Sequence, residues 1–185
     1  MNARPTLLAS LFALSSLCAA SPARAWLVDF ESVSLDAEPF VTVGPRWVAN
    51  AQSNDPVQLT LVAGAQLRVY DLFRYAGGPL RGHGLIDWDW SRQTNAQGTT
   101  LLFSRPVESV SLDAGDWGSD DDSPLELTAT DCNGGVVART QARWTAERSP
   151  PFARLAVQGH AICRVIYRSG GQYPGSTFID NIRFE

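Results

Sequence analysis

The stretch Phe178-Ile179-Asp180-Asn181-Ile182-Arg183-Phe184, near the end of a 185-residue chain, reads as a β-strand with one anomaly. Successive strand side chains point to opposite faces, so Phe178, Asp180, Ile182 and Phe184 share one side. Alternation therefore sets Asp180 in an apolar row. A buried carboxylate is costly unless it is paired or holds a cation. Toward the other end of the chain, Leu27-Val28-Asp29-Phe30-Glu31 repeats the pattern and puts Asp29 and Glu31 on a common face. If the first and last strands pair in one sheet, three carboxylates meet, and oxygen ligands of that kind suit Ca²⁺. The other reading of Asp180 is a carboxylate hydrogen-bonded to an arginine.

The same period recurs through the chain. Val57–Leu61 alternates, as does Leu125–Thr130, after which Asn133-Gly134-Gly135 makes a hairpin turn into Val136–Ala138. Further strand candidates are Trp26–Glu31, Leu67–Phe73, Leu85–Trp90, Thr100–Phe103, Val107–Leu112, Ala153–Val157 and Ile162–Tyr167. No stretch sustains a helical period, and no repeat or low-complexity linker divides the chain. About ten short strands predict an all-β, antiparallel, jelly-roll-like β-sandwich.

The N-terminus carries a leader. Arg4 precedes the apolar run Leu7–Leu17, which is too short to span a bilayer, and Ala23-Arg24-Ala25 supplies a small-x-small cleavage pattern. Residues 1–25 are expected to be a signal peptide and residues 26–185 one domain. The mature protein is then secreted or periplasmic, and no later segment has the length and apolarity of a transmembrane helix. Formal net charge is −4 over the full chain, and losing Arg4 and Arg24 deepens it. That argues against nucleic acid as a partner, because phosphate binding needs concentrated positive charge. All 15 basic residues are arginine, which reads as a coding bias. Cys132 and Cys163 survive cleavage, and in an oxidising compartment such a pair most simply forms a disulfide. Closing a loop of about 32 residues stabilises by roughly 3–4 kcal/mol on the chain-entropy estimate.

Three stretches carry candidate chemistry. In Leu85-Ile86-Asp87-Trp88-Asp89-Trp90 alternation puts Trp88 and Trp90 on one face and Asp87 and Asp89 on the other. Paired tryptophans make a platform for sugar rings, with aspartates to bond the hydroxyls; they also pack cores. Asp113-Ala-Gly-Asp-Trp-Gly-Ser-Asp-Asp-Asp-Ser-Pro124 supplies Trp117 and five aspartates, Asp113, Asp116, Asp120, Asp121 and Asp122. Lying between strand candidates, it is expected to be a loop, either solvated or a second, weaker Ca²⁺ site, and its order does not fit an EF-hand. His83 and His160 are expected in loops, and neither accompanies a nucleophile elbow or a zinc-spaced partner.

The Asp29-Phe-Glu31 start and the FIDNIRF finish resemble the jelly-roll, galactose-binding-like carbohydrate-binding modules. That resemblance implies a structural calcium held by Glu31 and Asp180, with Asp29 as a third ligand. Pro106–Ala138 is similar to sandwich domains of exported bacterial proteins of the PEP-CTERM-associated type. The function expected is a non-catalytic, exported binding module for carbohydrate or another cell-envelope ligand, with Asp87, Trp88, Asp89, Trp90 and Trp117 at the ligand. Two alternatives stay open. One is a glycan-cleaving enzyme using Asp87, Asp89 or Glu108, although glycosidase carboxylates usually come from different strands about 5–10 Å apart. The other is a purely structural matrix protein.

Overall fold

The computed structural model describes residues 25–49, 57–76, 81–87, 98–115, 124–143, 152–170 and 177–185. Among these, nine strands and one short helix form: β1 (Trp26–Val28), β2 (Phe40–Ala49), β3 (Leu59–Asp71), α1 (Leu72–Ala76), β4 (His83–Asp87), β5 (Thr99–Gly115), β6 (Leu125–Asp131), β7 (Val136–Ala142), β8 (Ala153–Ser169) and β9 (Phe178–Phe184). Every pairing between them is antiparallel.

Four strands are long enough to serve two layers. In the first layer the C-terminal part of β2 pairs the start of β3, which pairs the start of β5, then the end of β8, then β6 and β7. In the second layer the start of β8 pairs the end of β5, which pairs β9; β9 pairs β4, and β4 pairs the end of β3. The crossing points are marked by register shifts at Thr42–Arg46 in β2 and at Leu102–Ser109 in β5 opposite β8. Such bulges bend a strand and sharpen its twist, which lets one strand turn a sandwich corner. Leu59, Leu61, Leu101, Leu112, Leu125, Leu127, Ile162, Val165 and Ile182, all essentially inaccessible, fill the space between the layers. Burying each such aliphatic side chain contributes roughly 1.5–3 kcal/mol.

The sequence expectation of short strands is corrected here. Val57–Leu61 and Leu67–Phe73 belong to one strand, β3, and the paired candidates in β5 and β8 likewise join into strands of 17 residues each. β2 went unpredicted because Gly44-Pro45 interrupts its alternation at the corner. Also unpredicted is α1, a single turn capped by Asp71, whose Oδ1 accepts from the N–H groups of Phe73 at 3.0 Å and Arg74 at 3.1 Å. The expected β6–β7 turn is present: Gly134 takes a left-handed φ of 87° and Asp131 Oδ1 accepts from the N–H groups of Asn133 and Gly135, both at 2.8 Å. Cys132 and Cys163 form the expected disulfide, with Cα atoms 5.0 Å apart, and it ties that turn to β8.

Candidate functional site

The two ends of the chain do pair. β9 is a central strand with β5 on one side, and on the other side it is shared by β4, opposite Phe178 and Ile179, and β1, opposite Ile182 to Phe184. Asp180 and Asn181 fall in the interval between β4 and β1. Asn181 has a φ of 49°, and this left-handed residue resets the alternation of β9. Ile179, Ile182 and Phe184 face the main core, whereas Phe178 packs with Tyr70, Leu72 and Ile86 in a second cluster. The expected row of Phe178, Asp180, Ile182 and Phe184 is therefore corrected. Asp180 shares with Phe178 the outer face of the second layer.

On that face Asp180 sits opposite Asp113 of β5, and Asp113 sits opposite Arg154 of β8. Arg154 grips Asp113 with two bonds, Nε to Oδ1 at 2.8 Å and Nη2 to Oδ2 at 3.0 Å. Asp113 is thus a buried strand residue, not part of the acidic loop expected from the sequence, and it is Asp113 rather than Asp180 that has taken an arginine. Continuing the alternation Val110-Ser111-Leu112-Asp113-Ala114 one step further would have found it. Asp180 keeps its own neighbours instead: Oδ1 accepts from the Asn181 N–H at 2.6 Å and Oδ2 from its side-chain amide at 2.9 Å.

Beyond β1 the chain turns away at Phe30, whose φ is 58°, and brings round the other two acids. Asp29 Oδ1 accepts from the Glu31 N–H at 3.3 Å, and Glu31 Oε1 accepts from the His83 N–H at 2.8 Å. His83 opens β4 instead of lying in a loop; its Nδ1 is 3.2 Å from the Phe30 carbonyl, which can only accept, so Nδ1 carries the proton. Gly82 lies so close to Glu31 that a Cβ there would collide with Oε1, and its φ of 82° also favours glycine. His160, also expected in a loop, is a residue of β8.

The electrostatic result falls on Asp180. Burial, and then the negative charges of Glu31, Asp113 and Asp29, push its carboxyl up to about 7, against the opposing bond from the Asn181 N–H. Glu31 and Asp29 are thus close enough to Asp180 for their charges to act on it. Among the described residues, however, no three acidic, histidine or cysteine side chains converge as a ready ligand cage.

Of the expected ligand residues, Asp87 is described and Trp88, Asp89, Trp90 and Trp117 lie outside the described residues. Asp87 is buried, and its carboxylate accepts from the N–H groups of Gly64 at 2.7 Å, Ala65 at 3.2 Å and Gln66 at 3.2 Å. Those amides lie where β3 crosses between layers and the ladders to β4 and β5 are interrupted. Asp87 therefore satisfies backbone donors at the corner that the sheet cannot. Asp87 and Glu108 do not form a glycosidase pair. The β4–β9–β5 register sets Ile86 level with Gly115, and Glu108 precedes Gly115 by a stretch of strand about 20 Å long.

No protein-family model matches the chain, and no curated protein matches it in sequence. Several solved structures are similar in chain path. A DUF4465 family protein from Bacteroides caccae is 10% identical with a TM-score of 0.49, over 88% of this chain and 99% of that one. A family 61 carbohydrate-binding module, solved with β-1,4-galactotriose, is 10% identical with a TM-score of 0.40, over 71% of this chain and 88% of that one. A family 6 carbohydrate-binding module is 9% identical with a TM-score of 0.37, over 86% of this chain and 92% of that one.

Proposed function

We propose that the protein is an exported, non-catalytic binding module for a carbohydrate or another cell-envelope ligand, with a structural cation beside Asp180. One observation supports the placement of the ligand. β4 and β5 run parallel to each other on either side of β9, and Ile86, Phe178 and Gly115 are level across the three strands. β4 and β5 therefore end, at Asp87 and Gly115, on the same side of one layer, two strand spacings or about 10 Å apart. On this proposal Trp88, Trp90 and Trp117 are the residues that offer apolar surface to sugar rings and Asp89 the one that bonds hydroxyls, while Asp87 anchors the end of β4. The cation reading rests on the charge imbalance at Asp180: Glu31 and Asp29 add negative charge to a carboxyl already penalised by burial, and Ca²⁺ prefers such oxygen donors.

A glycan array probed with and without calcium tests both parts. Binding of a glycan without turnover is expected, weakened at least tenfold by Trp88→Ala or Trp117→Ala. Chelator should lower the melting temperature, and Asp180→Ala should remove that response. Hydrolysis or elimination products would reject the non-catalytic reading. A melting temperature indifferent to chelator would reject the cation.

A further inference from the structure

The outer face of the first layer carries a charge pattern that the proposed site does not use. Two rows of residues can be followed across all six strands. One runs Arg46, Val62, Thr100, Ile166, Thr128, Arg139; the other runs Val48, Thr60, Leu102, Arg164, Thr130, Val136. In a third, shorter row Glu126 lies between Arg168 and Gln141. The row beneath the first, Trp47, Leu61, Leu101, Val165, Ala129 and Ala138, packs into the core, so these rows face outward. Arg46, Arg139, Arg164 and Arg168 are all exposed. Among the described residues none of the four guanidinium groups is engaged in a hydrogen bond or ion pair, and Glu126 accepts from Thr128 Oγ1 at 2.9 Å. A chain of net charge −4 thus gathers, among its described residues, four arginines and one acid along these rows of a single face.

From this we infer that the outer face of the first layer is a docking surface for a linear anionic polysaccharide, one bearing carboxylate or sulfate groups at intervals. The inference rests on the binding-module reading and narrows its ligand class. Three properties of the face select this occupant. Arg164 lies two strands from Arg139 and three from Arg46, each with a two-residue offset along the strand, or about 12 and 16 Å at ordinary strand geometry. Nucleic acid carries a charge about every 1.7 Å along the duplex, far denser than these guanidinium groups can match. The two long rows also contain no aromatic side chain on which a neutral ring would stack; Thr60, Thr128 and Thr130 are buried among their neighbours, and Thr100 is half-buried between the charges. Guanidinium presents a fixed fork of donors suited to carboxylate and sulfate oxygens. The Cys132–Cys163 bridge ties the β6–β7 turn to the residue beside Arg164, so part of the pattern is held rigid before any ligand arrives.

Biolayer interferometry on the purified protein with polygalacturonate, neutral dextran and poly-L-glutamate tests this. Polygalacturonate should bind and dextran should not, with affinity falling at least tenfold between 20 and 200 mM NaCl, roughly a threefold change in screening length. Arg139→Glu with Arg164→Glu should cost a further tenfold or more at unchanged melting temperature, whereas Arg105→Glu, an exposed change at the β5 corner, should leave binding as it was. No binding to polygalacturonate, or an equal loss in Arg105→Glu, overturns the inference. Equal affinity for poly-L-glutamate overturns the glycan assignment in favour of acidic protein. The Trp88→Ala readout on neutral glycans separates the two proposals: if it stands while polygalacturonate fails, only this inference falls.

Discussion

Two aspartates facing one another across neighbouring strands are unfavourable unless something removes a charge. For Asp113 the removal is done by Arg154. For Asp180 no arginine is paired among the described residues, and a proton is the simplest remedy, since its carboxyl is pushed up to about 7 from an ordinary 3.8. The folded state therefore holds a proton that the unfolded chain releases across that window. Stability contributed by the protonated group is fully present below pH 3.8 and is lost as pH rises through about 7. With chelator present, Asp180→Asn is expected to raise stability at pH 8 by on the order of 2 kcal/mol and to flatten its decline between pH 4 and 7. Urea unfolding of both proteins across pH checks this; an unaltered slope would show that Asp180 is not the group responsible. The sequence disclosed this acid as an anomaly, because a carboxylate in an apolar alternation is visible without coordinates. It did not disclose Asn181, since a single left-handed residue leaves no periodic trace, and so the face assigned to Asp180 was reversed.

Among the strands, alternation located most of what exists and misjudged where each piece stops. β6 was legible because its alternation runs unbroken, whereas β7 and β9 were located by their apolar content and turns although a register shift near Val136 and the left-handed Asn181 break their period. β3, β5 and β8 were each divided at the bend where they pass between layers, because a bulge adds a residue and shifts the phase. What the period cannot provide is partners. The arginines of the first layer sit on three strands, β2, β7 and β8, scattered from Arg46 to Arg168, and only the register lines them up. The Cys132–Cys163 bond was legible from count and compartment alone. Replacing both cysteines by serine should lower stability by roughly 3–4 kcal/mol, measured by urea unfolding, while the denatured, unreduced parent shows no titratable thiol. Two reactive thiols in the parent would refute the bond.

For the molecule entire, the proposed leader and the sheet meet at one residue. β1 begins at Trp26, whose ring stacks on Phe184 with centroids 5.8 Å apart, so cleavage after Ala25 leaves the first strand complete. Intact mass or N-terminal sequencing of exported material should find Trp26 first; a lipid-modified species beginning at Cys18 would contradict it. The tryptophans of the ligand reading were legible only as a pattern, since their neighbours in space depend on which strands stand beside β4.

The central position of β9 has a bearing on how the protein is made. β1 is the first strand to be synthesised, yet the partner it needs is β9, the last of the nine. The end of β5 and the middle of β4 each have one of their two partners in the same seven residues. Pairing across nearly the full chain carries a heavy loop-closure cost and slows folding. A nascent chain thus cannot close its second layer until β9 has been made, whereas the pairings of the first layer are available earlier.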